Sequence, residues 1–174
     1  MKRSICLLSM SALGVVLTFT ASLIRIPVPS VRWFFHLGDA VIFIMALLFG
    51  PVAGCIAGAL GSSWADVQMG LTVWVPMTLV IKGVEGLVVG WIGQDQNGSW
   101  EVPSLIAGSV VMIAGYAVAS VFLFGWPALI WEVPVDLVQC SVAMILSLFL
   151  VRNIRKRFPN IPKLKECAEW KKSI

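Results

Sequence analysis

The chain has 174 residues, of which 59% are hydrophobic and only 13% charged. A soluble domain carries about 25% charged residues, so this composition excludes an ordinary water-facing globule and points to an integral membrane protein folded as one compact bundle. The formal net charge of +4 is unevenly placed: residues 1–151 hold 5 Lys/Arg against 7 Asp/Glu, and residues 152–174 hold 8 against 2. No folded domain accompanies that basic tail to present it to nucleic acid, and positive charge beside a span marks the cytoplasmic side. The expected organisation is a six-helix transmembrane domain over residues 1–155 and a basic cytoplasmic tail over 156–174.

The N-terminus, MKRSICLLSMSALGVVLTFTAS, has the basic start and apolar run of a signal peptide. Its long apolar run and poor cleavage site favour a retained first span, residues 4–24. Pro27 and Pro29 end it in a loop, RIPVPSVRWFFH, with aromatic residues at its far end. A short second helix opens at Gly38-Asp39 and stops at Phe49. Gly50-Pro51 breaks the chain, and a third helix follows at once over 51–67, since proline is tolerated in a first turn. That helix carries the small-residue ladders Gly54/Gly58/Ser62 and Ala53/Ala57/Gly61/Ala65, a pattern that lets backbones pack closely in lipid. A fourth helix spans 74–92 and ends in a polar turn at Asn97-Gly98. A fifth spans 103–124. After the tryptophan-rich break FGWPALIWEVP, a sixth spans 134–151. The expected fold is thus an all-α membrane protein, a compact bundle of six transmembrane helices with both termini cytoplasmic. Lys2, Arg3 and the tail then share one side.

Charges inside such a bundle are costly, about 2.5–3.5 kcal/mol each at mid-membrane, so each one needs a partner or a task. Trp74, Thr78, Lys82 and Glu85 fall on one stripe of the fourth helix at 100° per residue. Lys82 and Glu85, spaced i,i+3, can pair with each other, which leaves open an internal salt bridge or a ligand contact. Glu132, Asp136 and Gln139 form a second stripe on the sixth helix, with Asp136 and Gln139 the deeper site candidates. Asp39 is read as an N-cap and Asp66 as a helix-end residue. Trp33, Trp64, Trp74, Trp126 and Trp131 map to the outer leaflet, as an interfacial belt or as stacking surfaces for a flat ligand.

Catalysis has little to work with. The sequence has no GxxxxGK[ST], GxSxG or HExxH, which leaves no P-loop, nucleophile elbow or zincin site. Four scattered cysteines and one histidine, His36, give neither a metal site nor a disulfide framework, and Cys6, Cys55 and Cys140 are read as packing residues. Neither an enzymatic activity nor a cofactor or metal is expected. A membrane enzyme acting on lipid would have only Asp95 and Glu101 at its inner surface.

The run HLGDAVIFIMALLFGPVAGCIAGALGSSWADVQMG, followed by WVPMTLVIKGVEGLVVGWIG, resembles the substrate-binding S component of energy-coupling factor (ECF) transporters, in particular its riboflavin-transporter-type members. Gly38-Asp39, the Gly50-Pro51 break, the glycine-rich third helix and Lys82-Gly83-x-Glu85-Gly86 carry the resemblance, which covers residues 5–150. It implies a subunit of the bacterial plasma membrane that captures a small water-soluble vitamin at the outer face. It also implies a membrane coupling (T) subunit and two cytoplasmic ATPase subunits as partners, and the first loop as a gate. A site in the outer halves of helices 4–6 makes Trp74, Thr78, Lys82, Glu85, Trp131, Asp136 and Gln139 the substrate-binding candidates. In this family small residues on helix 1, often Ala-xxx-Ala, contact the coupling subunit. This chain has instead Gly14-xxx-Thr18-xxx-Ser22, taken as the partner-contact face. A self-contained secondary carrier or channel is the alternative.

Overall fold

The structure, a computed structural model, describes residues 2–27, 34–93 and 99–157. Six helices form the bundle: α1 (Lys2–Leu23), α2 (Gly38–Phe49), α3 (a continuous helical run over 51–68), α4 (Val75–Ile92), α5 (Glu101–Phe124) and α6 (Leu129–Arg157). Between α1 and α2, β1 (Arg25–Pro27) and β2 (Phe34–His36) pair antiparallel, with Ile26 opposite Phe35. This small ribbon was not foreseen, since the prolines marked only where the helix ends. Residues 28–33 of the expected gate, Trp33 among them, the turn at Asn97-Gly98 with Asp95, and the tail from residue 158 lie outside the described residues. Cys6 is disulfide-bonded, which corrects its reading as a packing residue, whereas Cys55 and Cys140 are free thiols.

α1, α4, α5 and α6 are long and apolar enough to cross a membrane. α2 is not: 12 residues rise about 18 Å, against a hydrocarbon core of about 30 Å. It has no need to match that thickness, because it stands in the middle of the bundle, packed by α1, α3, α4 and α6. Ile42, Phe43 and Ala46 are completely buried, and the larger core cluster includes Phe43 and Ala46. The outward faces carry Leu8, Val118, Phe122, Ile145 and Phe149, all well exposed, as lipid contact requires.

Gly50, at φ 92°, makes the reversal between α2 and α3, and Pro51 opens α3. α3 runs as α-helix (Pro51–Ile56), loosens to a π-helix (Ala57–Ser62) and tightens again (Ser63–Gln68). Its ladders have separate uses. Ala57 and Gly61 meet α1, where a methyl group on Gly61 would stand 2.7 Å from Thr18 Cβ. Gly54 and Gly58 meet the α4 backbone.

α6 begins at Leu129, five residues before the expected start, preceded by a 3-10 turn at Trp126–Ala128. Pro134 lies inside it, early enough that only a first-turn carbonyl loses its donor. The helix also runs on to Arg157 with Arg155, Lys156 and Arg157 in its last turn, where cations favour the helix dipole. At this end the buried Glu101 pairs with Arg152 (3.3 Å) and Arg155, and Arg155 Nη2 donates to the Leu47 carbonyl (3.0 Å). Glu101 thereby ties α5 to α6, and Arg155 ties both to the C-terminal end of α2. Glu101→Gln should lower the melting temperature, at a cost of about 1–2 kcal/mol because both arginines are partly solvated. Ligand affinity, measured on the same preparation, should be unchanged.

Candidate functional site

The other end of the bundle is polar inside. Lys82 on α4 is 1% exposed, and its Nζ lies 2.5 Å from Asp39 Oδ1 on α2 and 3.1 Å from Glu85 Oε2. The i,i+3 pairing of Lys82 with Glu85 is present, but the nearer partner is Asp39. This corrects the N-cap reading: Asp39 makes no capping bond, Leu37 holds the N-cap position, and the Asp39 side chain points inward with 0% exposure. Gln139 on α6 completes the group. Its Nε2 donates to Asp39 Oδ2 (2.8 Å), and its Oε1 accepts from the backbone N–H of His36 in β2 (3.0 Å). Three helices and the ribbon are therefore held through Lys82, Asp39 and Gln139, whose polar atoms bond one another, with Glu85 joined to them by charge alone.

A second chain of bonds lies beside the first. Tyr116 on α5 donates its hydroxyl to Thr78 Oγ1 (3.1 Å), and Thr78 in turn donates to Asp66 Oδ2 on α3 (2.6 Å). Each hydroxyl acts once as donor, so the direction is fixed by Asp66 as the terminal acceptor. The Tyr116 ring sits 5.4 Å from Lys82 Nζ, within cation–π range. Trp74 packs on Tyr116 and Phe124 at centroid distances of 5.9 and 5.8 Å, so an aromatic surface adjoins the charged group. Among the described residues no cluster of His, Cys, Asp or Glu is arranged to hold a metal ion.

Of the residues singled out in the sequence, Thr78, Lys82, Glu85, Asp136 and Gln139 converge here, all buried, with Trp74 at the rim. Trp131 does not join them. It is 52% exposed, because the 100° step from the inward-facing Glu132 turns it toward lipid. Trp64 and Trp126 face outward at the same end, and Trp91 and Trp100 at the other, as two interfacial belts. Gly14, Thr18 and Ser22 are also corrected. All three are buried against this chain's own helices, where a methyl group on Gly14 would lie 2.8 Å from Met45 Cε and one on Gly38 2.2 Å from Ser22 Oγ. That small-residue face is spent on the α2–α3 contact and is not open to another subunit. Sequence reasoning passed over Tyr116, although it is the single tyrosine and a hydroxyl in the middle of an apolar helix is itself a signal.

The family model for the "ECF-type riboflavin transporter, S component" matches residues 2–156. This chain belongs to that family. The S component is 36% identical, over 80% of its length and 95% of the relative's, to an uncharacterized protein of Pyrococcus woesei from the gap 3' region. It is 25% identical, over 83% and 85% of the two chains, to the thiamine precursor transporter HmpT of Lactococcus lactis. Its fold matches the solved structure of the S component of a bacterial ECF transporter, with TM-score 0.71 at 19% identity over 90% of this chain and 97% of that one. It also matches ThiT from Listeria monocytogenes, with TM-score 0.67 at 19% identity over 94% and 98%. The six-helix membrane fold and a role in transport rather than catalysis follow from this membership.

Proposed function

We propose that this S component captures a small water-soluble vitamin or vitamin precursor at the outer face of the cell membrane, in the site formed by Trp74, Thr78, Lys82, Glu85, Asp136 and Gln139 together with Asp39 and Tyr116. A membrane coupling subunit and two cytoplasmic ATPase subunits then drive its uptake. The observation that carries the reading is the placement of the polar group. It lies at one end of an otherwise apolar bundle, beside an aromatic surface, while Arg155, Lys156 and Arg157 mark the opposite end as cytoplasmic. A few convergent polar groups next to aromatic rings are what a high-affinity site for a flat, polar molecule requires. Residues 1–155 act as the membrane unit and 156–174 as a cytoplasmic tail. With Gly14, Thr18 and Ser22 occupied inside the bundle, contact with the coupling subunit falls to the outward side of α1, which exposes Leu13, Val16 and Leu17.

The test is to purify the protein in mild detergent from cells grown on rich medium, denature it and identify what is released by mass spectrometry. A stoichiometric vitamin is the expected result. Folded protein that releases nothing, and melts unchanged with every member of a vitamin panel, would overturn capture. Uptake that persists without ATPase partners would identify a self-contained carrier instead.

A further inference from the structure

The charges at this site do not balance, and the imbalance has a direction. Among the described residues Lys82 is the lysine of the group, His36 stands within electrostatic range of Asp39, and Asp39 holds Lys82 together with Gln139. Glu85, 0% exposed, is within ion-pair distance of Lys82, yet neither of its oxygens has an aligned donor. Two further acids face the same region from α6. Asp136 and Glu132 are each 6% exposed, and Asp136 Oδ2 and Glu132 Oε2 have no hydrogen-bond partner. They stand one turn apart on one helix face. Asp136 is within electrostatic range of Glu132, Lys82 and Asp39, and Glu85 within range of Asp136. Glu85 on α4 and Asp136 on α6 thus present unsatisfied acceptors within range of one lysine, and Glu132 adds another beside Asp136.

Buried acceptors without donors are destabilising unless something supplies the donors. These acids are not arranged to chelate a metal ion, and Tyr116, an aromatic face suited to a delocalised cation, lies beside Lys82. We infer that the site takes a heteroaromatic ligand that brings positive charge or amino N–H donors to Glu85, Asp136 and Glu132, rather than a neutral or anionic one. The inference rests on the capture reading above and narrows its substrate class.

Calorimetry on the ligand-free full-length protein decides it, with thiamine and pyridoxamine as cationic probes, riboflavin and pyridoxine as neutral ones, and pantothenate as the anion. A cationic member should bind tightest. Glu85→Gln and Asp136→Asn keep the side-chain size and remove the charge. Each should weaken that member about 10- to 100-fold, while any neutral ligand changes less than about threefold. Glu132→Gln, nearer the end of α6, serves where the deeper variants fail to fold. The wild-type order of affinities needs no variant at all. If riboflavin, pyridoxine or pantothenate binds tightest, or if the charge-free variants hold the cation as well as the wild type does, this inference falls and capture stands. If the folded protein binds no member and carries no small molecule from the cell, capture falls as well.

Discussion

Lys82→Met is expected to be among the most damaging single substitutions in the protein. It keeps most of the side-chain volume and removes the charge between Asp39 and Glu85, which are both completely buried. Breaking a buried ion pair from one side leaves the other charge without compensation, at about 3–5 kcal/mol. In a chain of this size that corresponds to a fall of roughly 10 °C or more in melting temperature. The ligand site should be lost with it, since Lys82 also faces Tyr116. Asp39→Asn in the same background removes the stranded carboxylate while keeping an acceptor for Gln139, so the double variant should be more stable than Lys82→Met alone. The melts of wild type, both single variants and the double variant form a cycle that reads the coupling directly. Additive effects within about 0.5 kcal/mol would mean that Lys82 and Asp39 do not act as a pair, and the central argument for this site would fail.

That pair also shows what a sequence can and cannot display. Lys82 and Glu85 were legible because three residues along a helix is a fixed geometry. The stripes on α4 and α6 were legible for the same reason, as were the six helices, the Gly50-Pro51 reversal and the small-residue face of α3. Asp39 was placed on the right helix with the wrong task. At a helix start an aspartate has a local use, capping, and nothing local reveals that a lysine 43 positions later reaches it. Tyr116, Thr78 and Asp66 meet from three helices, a contact that exists only once the bundle has formed. The small residues of α1 suggest a partner-contact face but pack inside this chain, because Gly14-xxx-Thr18-xxx-Ser22 reads the same whether the helix against it belongs to this chain or to another. The start of α6 was set too late because the tryptophan-rich stretch FGWPALIWEVP reads as a break. Pro134 near a helix start removes only a single bond, so the helix already runs from Leu129 and carries Glu132 on its inward face.

The seam between α3 and α4 is where packing holds the site in place, and Gly86→Ala should expose it. A methyl group on Gly86 would lie 2.3 Å from the Gly54 carbonyl oxygen and 2.4 Å from its carbon. Both are backbone atoms, which no rotamer change can move aside. One turn away on each side the same closeness recurs: a methyl group on Gly58 would meet the Lys82 carbonyl oxygen at 2.3 Å, and one on Gly90 the Pro51 Cα at 2.4 Å. The two helices touch backbone to backbone, and that contact sets how far Lys82 reaches toward Asp39. Alanine in a helix interior is ordinarily favoured over glycine by about 1 kcal/mol. Here the substitution should instead destabilise by about 2–3 kcal/mol, at the upper end of overpacking, and weaken ligand binding by displacing Lys82. Gly70→Ala is the control. A methyl group there meets nothing within 4 Å, so only its φ of +74° opposes the change, at about 1–2 kcal/mol, with no effect on binding. Melting curves and ligand titrations of the two variants separate the cases. If Gly86→Ala is as mild as Gly70→Ala in both, then α3 can withdraw freely from α4, and the position of Lys82 does not depend on the glycine seam.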